Sequence, residues 1–378
     1  MVTLLSPIRL WAVVAKEFIQ LRRDRLTFAM IIGIPLIQLA LFGFAINSDP
    51  KELPMAVRSA ESSAYTRSII QAIVNTRYFN VTEITDSEQT ANEILARGAA
   101  QFVINIPADF TRRLLRGERP SLLLEADATD PAATSNALAA IKQIPNTALA
   151  HDLNGPLASL QSAGAPFSID IHRRYNPEGV TQYNIVPGLM GVILTMTMIM
   201  MTSLAITREH ERGTMENLLA MPVQPLEVMV GKITPYILIG YIQVLVILAA
   251  ALWVFHVPML GSALLLMLGV LLFILANLTV GITISSVARN QAQAMQMSFF
   301  FFMPSILLSG FMFPFRGMPQ WAQVIGEALP LTHFLRFIRG LLLKGNEWMA
   351  AWEHLWPLLA FTAVMMAIGL RRYRRTLD

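Results

Sequence analysis

The chain has 378 residues, 54% of them hydrophobic and only 14% charged, too apolar for an ordinary soluble protein, in which about 45–50% apolar and about 25% charged residues are usual. Its net charge of +4 does not mark a nucleic-acid binder, because the basic residues cluster beside apolar runs, a placement that orients a chain in a membrane. With no cysteine, disulfides, thiolate metal sites and cysteine nucleophiles are excluded.

Residues 1–26 hold the first predicted element. Ser6-Pro7 supplies a hydroxyl cap and a proline at the first helical position. Ile8, Trp11, Ala15, Phe18 and Leu21 then recur at helical spacing, with Arg9, Lys16, Glu17, Arg22 and Arg23 largely elsewhere around the helix. A basic amphipathic helix with tryptophan on its apolar side suits a membrane interface; a soluble helix packed on another domain is the alternative. Residues 27–46 carry no charge and form the first predicted span. Gly43-Phe44-Ala45 mimics a signal cleavage site, but the stretch is longer than the ~7–15 apolar residues of a signal peptide, which favours an uncleaved span.

From 47 to 180 the character changes: charges return, and strand-like and helix-like pieces alternate. Phe79–Ile84, Gln101–Ile106 and Ser121–Glu125 read as strands. Tyr65–Thr76, Ser87–Arg97 and Pro107–Arg116 read as helices, the second with Asp86 and Gln89 spaced as a capping box and Gly98 as terminator. Such alternation predicts a compact α/β domain, and Asn154–Pro166, rich in Gly, Pro and Ser, reads as a loop.

Residues 181–378 predict five more spans: one within Thr181–Thr207, then Ile233–Phe255, Ser262–Ala288, Ala292–Phe315 and Leu355–Leu370. No Asp, Glu, Lys or Arg lies between Lys232 and Arg289; one helix of that length would run roughly 80 Å against a hydrocarbon core of about 30 Å, so the run folds back. Proline and glycine at Pro304, Gly310 and Pro314 are expected to break the fifth span, and Trp348, Trp352 and Trp356 form an aromatic belt before the sixth. The fold class is therefore an α-helical polytopic membrane protein, six spans plus an interfacial helix, with an α/β domain between the first and second spans. Basic residues before the first span, in the loop 208–232, at Arg289 and in the tail Arg371–Arg375 all fall on one side of a six-span path, which predicts cytoplasmic termini and an extracytoplasmic domain at 47–180. Arg316, Arg336, Arg339 and Lys344 run against this pattern; their segment Pro330–Lys344 is expected to lie in the outer interface with its cations snorkelling toward water.

Catalytic patterns are missing. His210-Glu211 lacks the second histidine of a zinc motif, and Gly231-Lys232 is followed by Ile233 rather than the Ser or Thr of a phosphate-binding loop. None of the predicted spans carries an acidic or basic residue near its middle, which disfavours a proton-coupled pump. The loop 208–232 is the candidate surface through which power arrives. Gly213 interrupts the helix, Thr214 can cap a short new one showing Glu216 and Asn217 to water with Leu218, Leu219 and Met221 as an apolar face, and Pro222 stops it. On these grounds alone, a partner-docking helix and a solvated connection remain equal readings.

The segment Glu209-His-Glu211-Arg-Gly213-Thr214-Met-Glu216-Asn-Leu218, with Pro222 and Lys232, resembles the corresponding loop of type-2 ABC exporter permeases of the bacterial multidrug and daunorubicin-resistance kind. The resemblance extends over essentially the whole chain through Lys16-Glu17, Arg23-Asp24, Tyr175-Asn176-Pro177, Leu308-Ser309-Gly310-Phe311 and Pro330-Leu-Thr-His333-Phe334. It implies a permease in the bacterial inner membrane that works as a homo- or heterodimer on two ABC ATPase subunits. ATP and Mg would be bound by those partners, with no cofactor on this chain. Glu209, Glu211, Gly213, Thr214, Glu216, Leu218 and Pro222 would couple to the ATPase, and a periplasmic adaptor would engage the outer domain. Met190, Met196, Met200, Met295, Met303 and Ser309 are candidates for the substrate path of an amphiphile, since flexible thioethers suit promiscuous apolar binding. Lipid contact and helix packing are the alternative roles for these residues. A membrane-anchored sensor or assembly factor with a ligand-binding outer domain is the rival function.

Overall fold

The computed structural model describes residues 50–153, 164–211 and 225–375. The predicted interfacial helix at 1–26 and first span at 27–46 lie outside the described residues. The first described unit is a mixed five-stranded sheet, β1 (Leu53–Ser59), β2 (Phe79–Thr85), β3 (Phe102–Ile106), β4 (Ser121–Asp127) and β5 (Ser168–Arg174), in the order β2-β1-β3-β4-β5. β1 runs parallel to β2 and β3, β3 antiparallel to β4, and β4 parallel to β5. Between the strands come helices α1 (Ala64–Asn75), α2 (Glu88–Arg97), α3 (Phe110–Leu115), α4 (Pro131–Ile141) and the short α5 (Ile144–Thr147).

Strand alternation divides the core. Leu53, Met55 and Val57 of β1 point to one face and pack with Ile69 and Ile73 of α1 and Leu138 and Ile141 of α4. Ala56, between them, faces the other side and meets Ala91, Ile94 and Leu95 of α2. β1 is thus buried on both faces. Burial also hides β1 from a period-two reading, since five of its seven residues are fully enclosed. β5, an edge strand with a largely exposed polar composition, is likewise not announced by the sequence. The cap of α2 is Ser87, whose hydroxyl accepts from the Thr90 amide at 3.3 Å, rather than the Asp86 that the spacing suggested. Gly98 does end this helix, at φ 74°.

The second unit is helical: α6 (Thr181–Glu211), α7 (Pro225–Trp253), α8 (Ala263–Ser285), α9 (Gln291–Leu308), α10 (Gln320–Glu327), α11 (Pro330–Arg339) followed by a π-helical turn Gly340–Lys344, and α12 (Trp348–Arg375). Among the described residues four helices, α6, α7, α8 and α12, include stretches long and apolar enough to cross a membrane. α9 has 18 residues, but Gln291, Gln293 and Gln296 make its first half polar. Pro304 sits inside it without ending it; the helix stops at Ser309, where Gly310 takes φ 84°.

α8 is the axis of the bundle. In its apolar window 61% of residues are buried, against 22% for α7 and 17% for α12, so the outer two expose their apolar sides to whatever surrounds the bundle, as spans facing lipid do. Close packing on α8 depends on missing side chains: a Cβ on Gly269 would stand 2.2 Å from the Phe337 ring, and one on Gly281 2.9 Å from the Ile199 carbonyl oxygen.

The segment Pro330–Lys344 departs from the sequence-based expectation. Its apolar side packs into the protein: Leu331, Phe334, Leu335, Ile338 and Leu341 are core residues, and the Phe334 ring stacks on Phe273 at 4.0 Å. Its cations are held by protein groups: Lys344 by Asp127 and the Leu95 carbonyl of the sheet unit, Arg336 by Glu327 and Arg339 by Gly310 and Asn184 within the helical unit.

Candidate functional site

Polar and charged side chains gather at both ends of α6. At its C-terminal end, the Glu211 carboxylate accepts from the Gln291 backbone amide at 2.8 Å and from its side-chain amide at 2.6 Å. Arg208 Nε donates to the same glutamine's Oε1 at 3.3 Å. Asn290 caps α9, accepting from the Gln293 amide at 2.8 Å, so Glu211 places a negative charge against the positive end of a helix. These groups are exposed and add little stability; what they fix is the position of the last turn of α6 relative to the first turn of α9. Glu209, half-buried, lies on the same last turn. Gly213, Thr214, Glu216, Leu218 and Pro222 lie outside the described residues.

The proposed path residues do not share one surface. Met190 is fully buried in the bundle core, Met196 and Met295 are exposed, and Met200 and Met303 are half-buried. Ser309 is buried, donates its hydroxyl to the Ile306 carbonyl at 3.3 Å, and lines a cavity.

That cavity, about 410 Å³, opens between the sheet unit and the near end of the bundle. Sequence reasoning noticed its cations as an anomaly and missed what they do. Lys344 Nζ, on the π-helical turn, donates to Asp127 Oδ2 at 2.5 Å and to the Leu95 carbonyl at 3.2 Å, and faces the Tyr175 ring at 5.0 Å. Both charged side chains are 9% exposed, so the pair is screened little by solvent. Burial, and then Asp127, raise the Tyr175 phenol above its ordinary pKa of 10.0, which keeps it neutral beside the pair. Asn184 of α6 donates to the Thr129 carbonyl at 2.8 Å and accepts from Arg339 at 3.2 Å, joining both units at one side chain. Arg336 makes two bonds to Glu327, at 2.6 and 3.0 Å. Arg316 donates to the Gly98 carbonyl at 2.8 Å, just past α2.

Local sequence positions these groups. Tyr175-Asn176-Pro177 forms the joint between β5 and α6, with Asn176 fully buried and exchanging bonds with the Val180 amide at 2.9 Å and carbonyl at 3.0 Å. Pro330 starts α11, Thr332 donates to the Gly326 carbonyl at 2.6 Å, and His333 Nε2 meets the Glu327 carbonyl at 2.8 Å. Burial, with Arg336 acting the same way, holds His333 below its ordinary pKa of 6.5. Among the described residues no three His, Asp or Glu side chains gather as a metal site.

The sequence profile described as ABC-2 family transporter protein matches residues 25–371. The probable multidrug ABC transporter permease YbhR of Escherichia coli K12 is 29% identical over 97% of this chain and 98% of its own length. The inner membrane transport permease YhhJ of the same strain is 30% identical, covering 86% of each chain. ABC transporter G family member 20 of Dictyostelium discoideum is 22% identical over 88% of this chain, which spans 46% of that protein.

Proposed function

Because this chain belongs to the ABC-2 family of transporter proteins, as a membrane-embedded permease subunit of an ABC exporter, we propose that it moves amphiphilic small molecules outward across the bacterial inner membrane by alternating access. Power comes from a separate ATPase subunit that binds ATP and Mg, and a second permease copy completes the transporter. The loop 208–232, with Glu209, Glu211, Gly213, Thr214, Glu216, Leu218 and Pro222, takes the ATPase's motion on the cytoplasmic side. The sheet unit stands on the other side, where a periplasmic adaptor would engage it, and a first span at 27–46 brings the count to six. Met196 and Met295, exposed on α6 and α9, offer adaptable apolar surface to substrate; Met190, Met200 and Met303 join it only in a conformation that opens the bundle.

The observation that carries the reading is the Glu211–Gln291 tie: the loop leaves α6 from a turn already fastened to α9, so force on it reaches two helices at once. The test is co-purification with the ATPase subunit and substrate-stimulated ATP hydrolysis. Glu216→Lys abolishes the stimulation while leaving the ATPase's basal rate intact; stimulation at the unaltered level would refute the coupling assignment.

A further inference from the structure

We propose that the cavity between the sheet unit and the bundle is a binding site for a phosphate-bearing anion, filled by the head of an anionic amphiphile at the membrane surface. Its charged lining is Arg97, Arg316, Arg336, Arg339 and Lys344 against Asp127, Asp130 and Glu327, a cationic surplus. The carboxylates are already engaged. Glu327 is chelated by Arg336 and Asp127 by Lys344. Asp130 caps α4 through the Ala133 amide at 3.3 Å. Arg97 pairs outward with Glu93 at 3.7 Å.

Among the described residues, the hydrogen bonds of Arg316 and Arg339 go to neutral acceptors, with Asp127 and Glu327 in electrostatic reach of Arg316 and Asp130 of Arg339. Arg316 donates to the Gly98 carbonyl at 2.8 Å, and Arg339 to the Gly310 carbonyl at 3.3 Å and the Asn184 amide oxygen at 3.2 Å. Among the described residues Arg339 Nε finds no acceptor, and it is buried. A buried guanidinium bonded only by neutral acceptors is costly, and an anion in the cavity that Arg339 lines offsets that cost. Guanidinium groups match phosphate in plane and spacing. About 410 Å³ is far more than one phosphate needs and falls within the usual size of a small-molecule pocket.

The level of the cavity in the membrane points to a lipid-like source. His354 lines it from the first turns of α12, where Trp348, Trp352 and Trp356 stand exposed. Such a tryptophan belt marks the headgroup layer. The assignment of that layer to the outer leaflet rests on the topology proposed above; the anion site itself does not.

The full-length permease, stripped of lipid in detergent, is titrated with inorganic phosphate while thermal unfolding is followed. The same protein is then placed in phosphatidylcholine nanodiscs with or without phosphatidylglycerol, and retained lipid is counted by native mass spectrometry. Saturable retention of phosphatidylglycerol over phosphatidylcholine, weakened about tenfold by Arg316→Gln, supports the site and assigns it to a lipid head. Saturable stabilisation by inorganic phosphate with no lipid preference supports the site and assigns a soluble anion. Arg316→Gln sits at the exposed rim and keeps the fold; Arg339→Gln is read only beside its own unfolding temperature. Arg112→Gln, on the exposed face of α3, is the control. No saturable response to either ligand, or one unchanged in Arg316→Gln, overturns the proposal. None of these readouts involves ATP hydrolysis, so failure here leaves the exporter reading standing, and failure of coupling leaves the anion site standing.

Discussion

Replacing Lys344 with methionine removes one member of a buried ion pair and keeps nearly the same volume. Asp127 is then left charged, 9% exposed, without the ammonium 2.5 Å away, and the Leu95 carbonyl and Tyr175 ring lose their cation. Breaking a buried pair from one side costs about 3–5 kcal/mol. At about 2–4 °C per kcal/mol for a large domain, Tm falls by roughly 6–20 °C, read by tryptophan fluorescence of the purified permease in detergent. Because the pair joins two units, amide exchange around 95–101 and 340–346 should rise before the rest of the protein opens. The double variant Asp127→Leu/Lys344→Met recovers most of the loss, since an apolar pair of similar volume commonly matches a buried ion pair. A single variant within 1 °C of wild type, or a double variant as unstable as the single, refutes the view that this pair clamps the units.

Gly269→Ala forces a methyl to within 2.2 Å of the Phe337 ring; overpacking of about 1–3 kcal/mol exceeds the gain of up to about 1 kcal/mol in helix propensity, and a lowered Tm in detergent checks it. His333 has a folded pKa held below 6.5 by burial, so the unfolded chain binds the proton more readily and stability falls as pH drops through 6.5 toward the folded value. His333→Gln flattens that part of the Tm-against-pH curve, and an unchanged slope counts against burial as its cause. Glu211→Ala releases Gln291 at an exposed position, so Tm moves by less than about 1 kcal/mol equivalent while substrate-stimulated ATPase falls several-fold; equal loss of both would make Glu211 merely structural.

The spans were legible because lipid forbids charge over about 20 residues, and α6, α7, α8 and α12 follow that pattern. α9 was legible as a helix, but its proline was over-read: one missing amide is tolerated where neighbouring helices hold the rest. β1 was hidden because a strand buried on both faces loses its alternation, and Pro54 within it argues against a strand. The cavity was not legible at all. Asp127 and Lys344 are 217 positions apart, and neither residue carries local information about the other. The trace was an unexplained excess of cations in Pro330–Lys344, which amphipathic reasoning sent toward water; Lys344 finds its counterpart in the sheet unit, and Arg336 and Arg339 find theirs within the helical unit. The candidate coupling residues Glu209 and Glu211 were picked by resemblance, and the bonds that Glu211 accepts from Gln291 are a contact that their spacing did not contain.

α6 deserves to be considered as a machine part. Its 31 residues make a strut of about 46 Å, pinned through Asn184 beneath the sheet unit at one end and through Glu211 to the neighbouring helix at the other. A strut fixed at both ends has no backlash, so a tilt imposed at Glu211 arrives at Thr129 as displacement rather than as local fraying. On the topology proposed above, the sheet unit would be geared directly to events on the far side of the membrane, and an attached protein would register each transport cycle as a stroke.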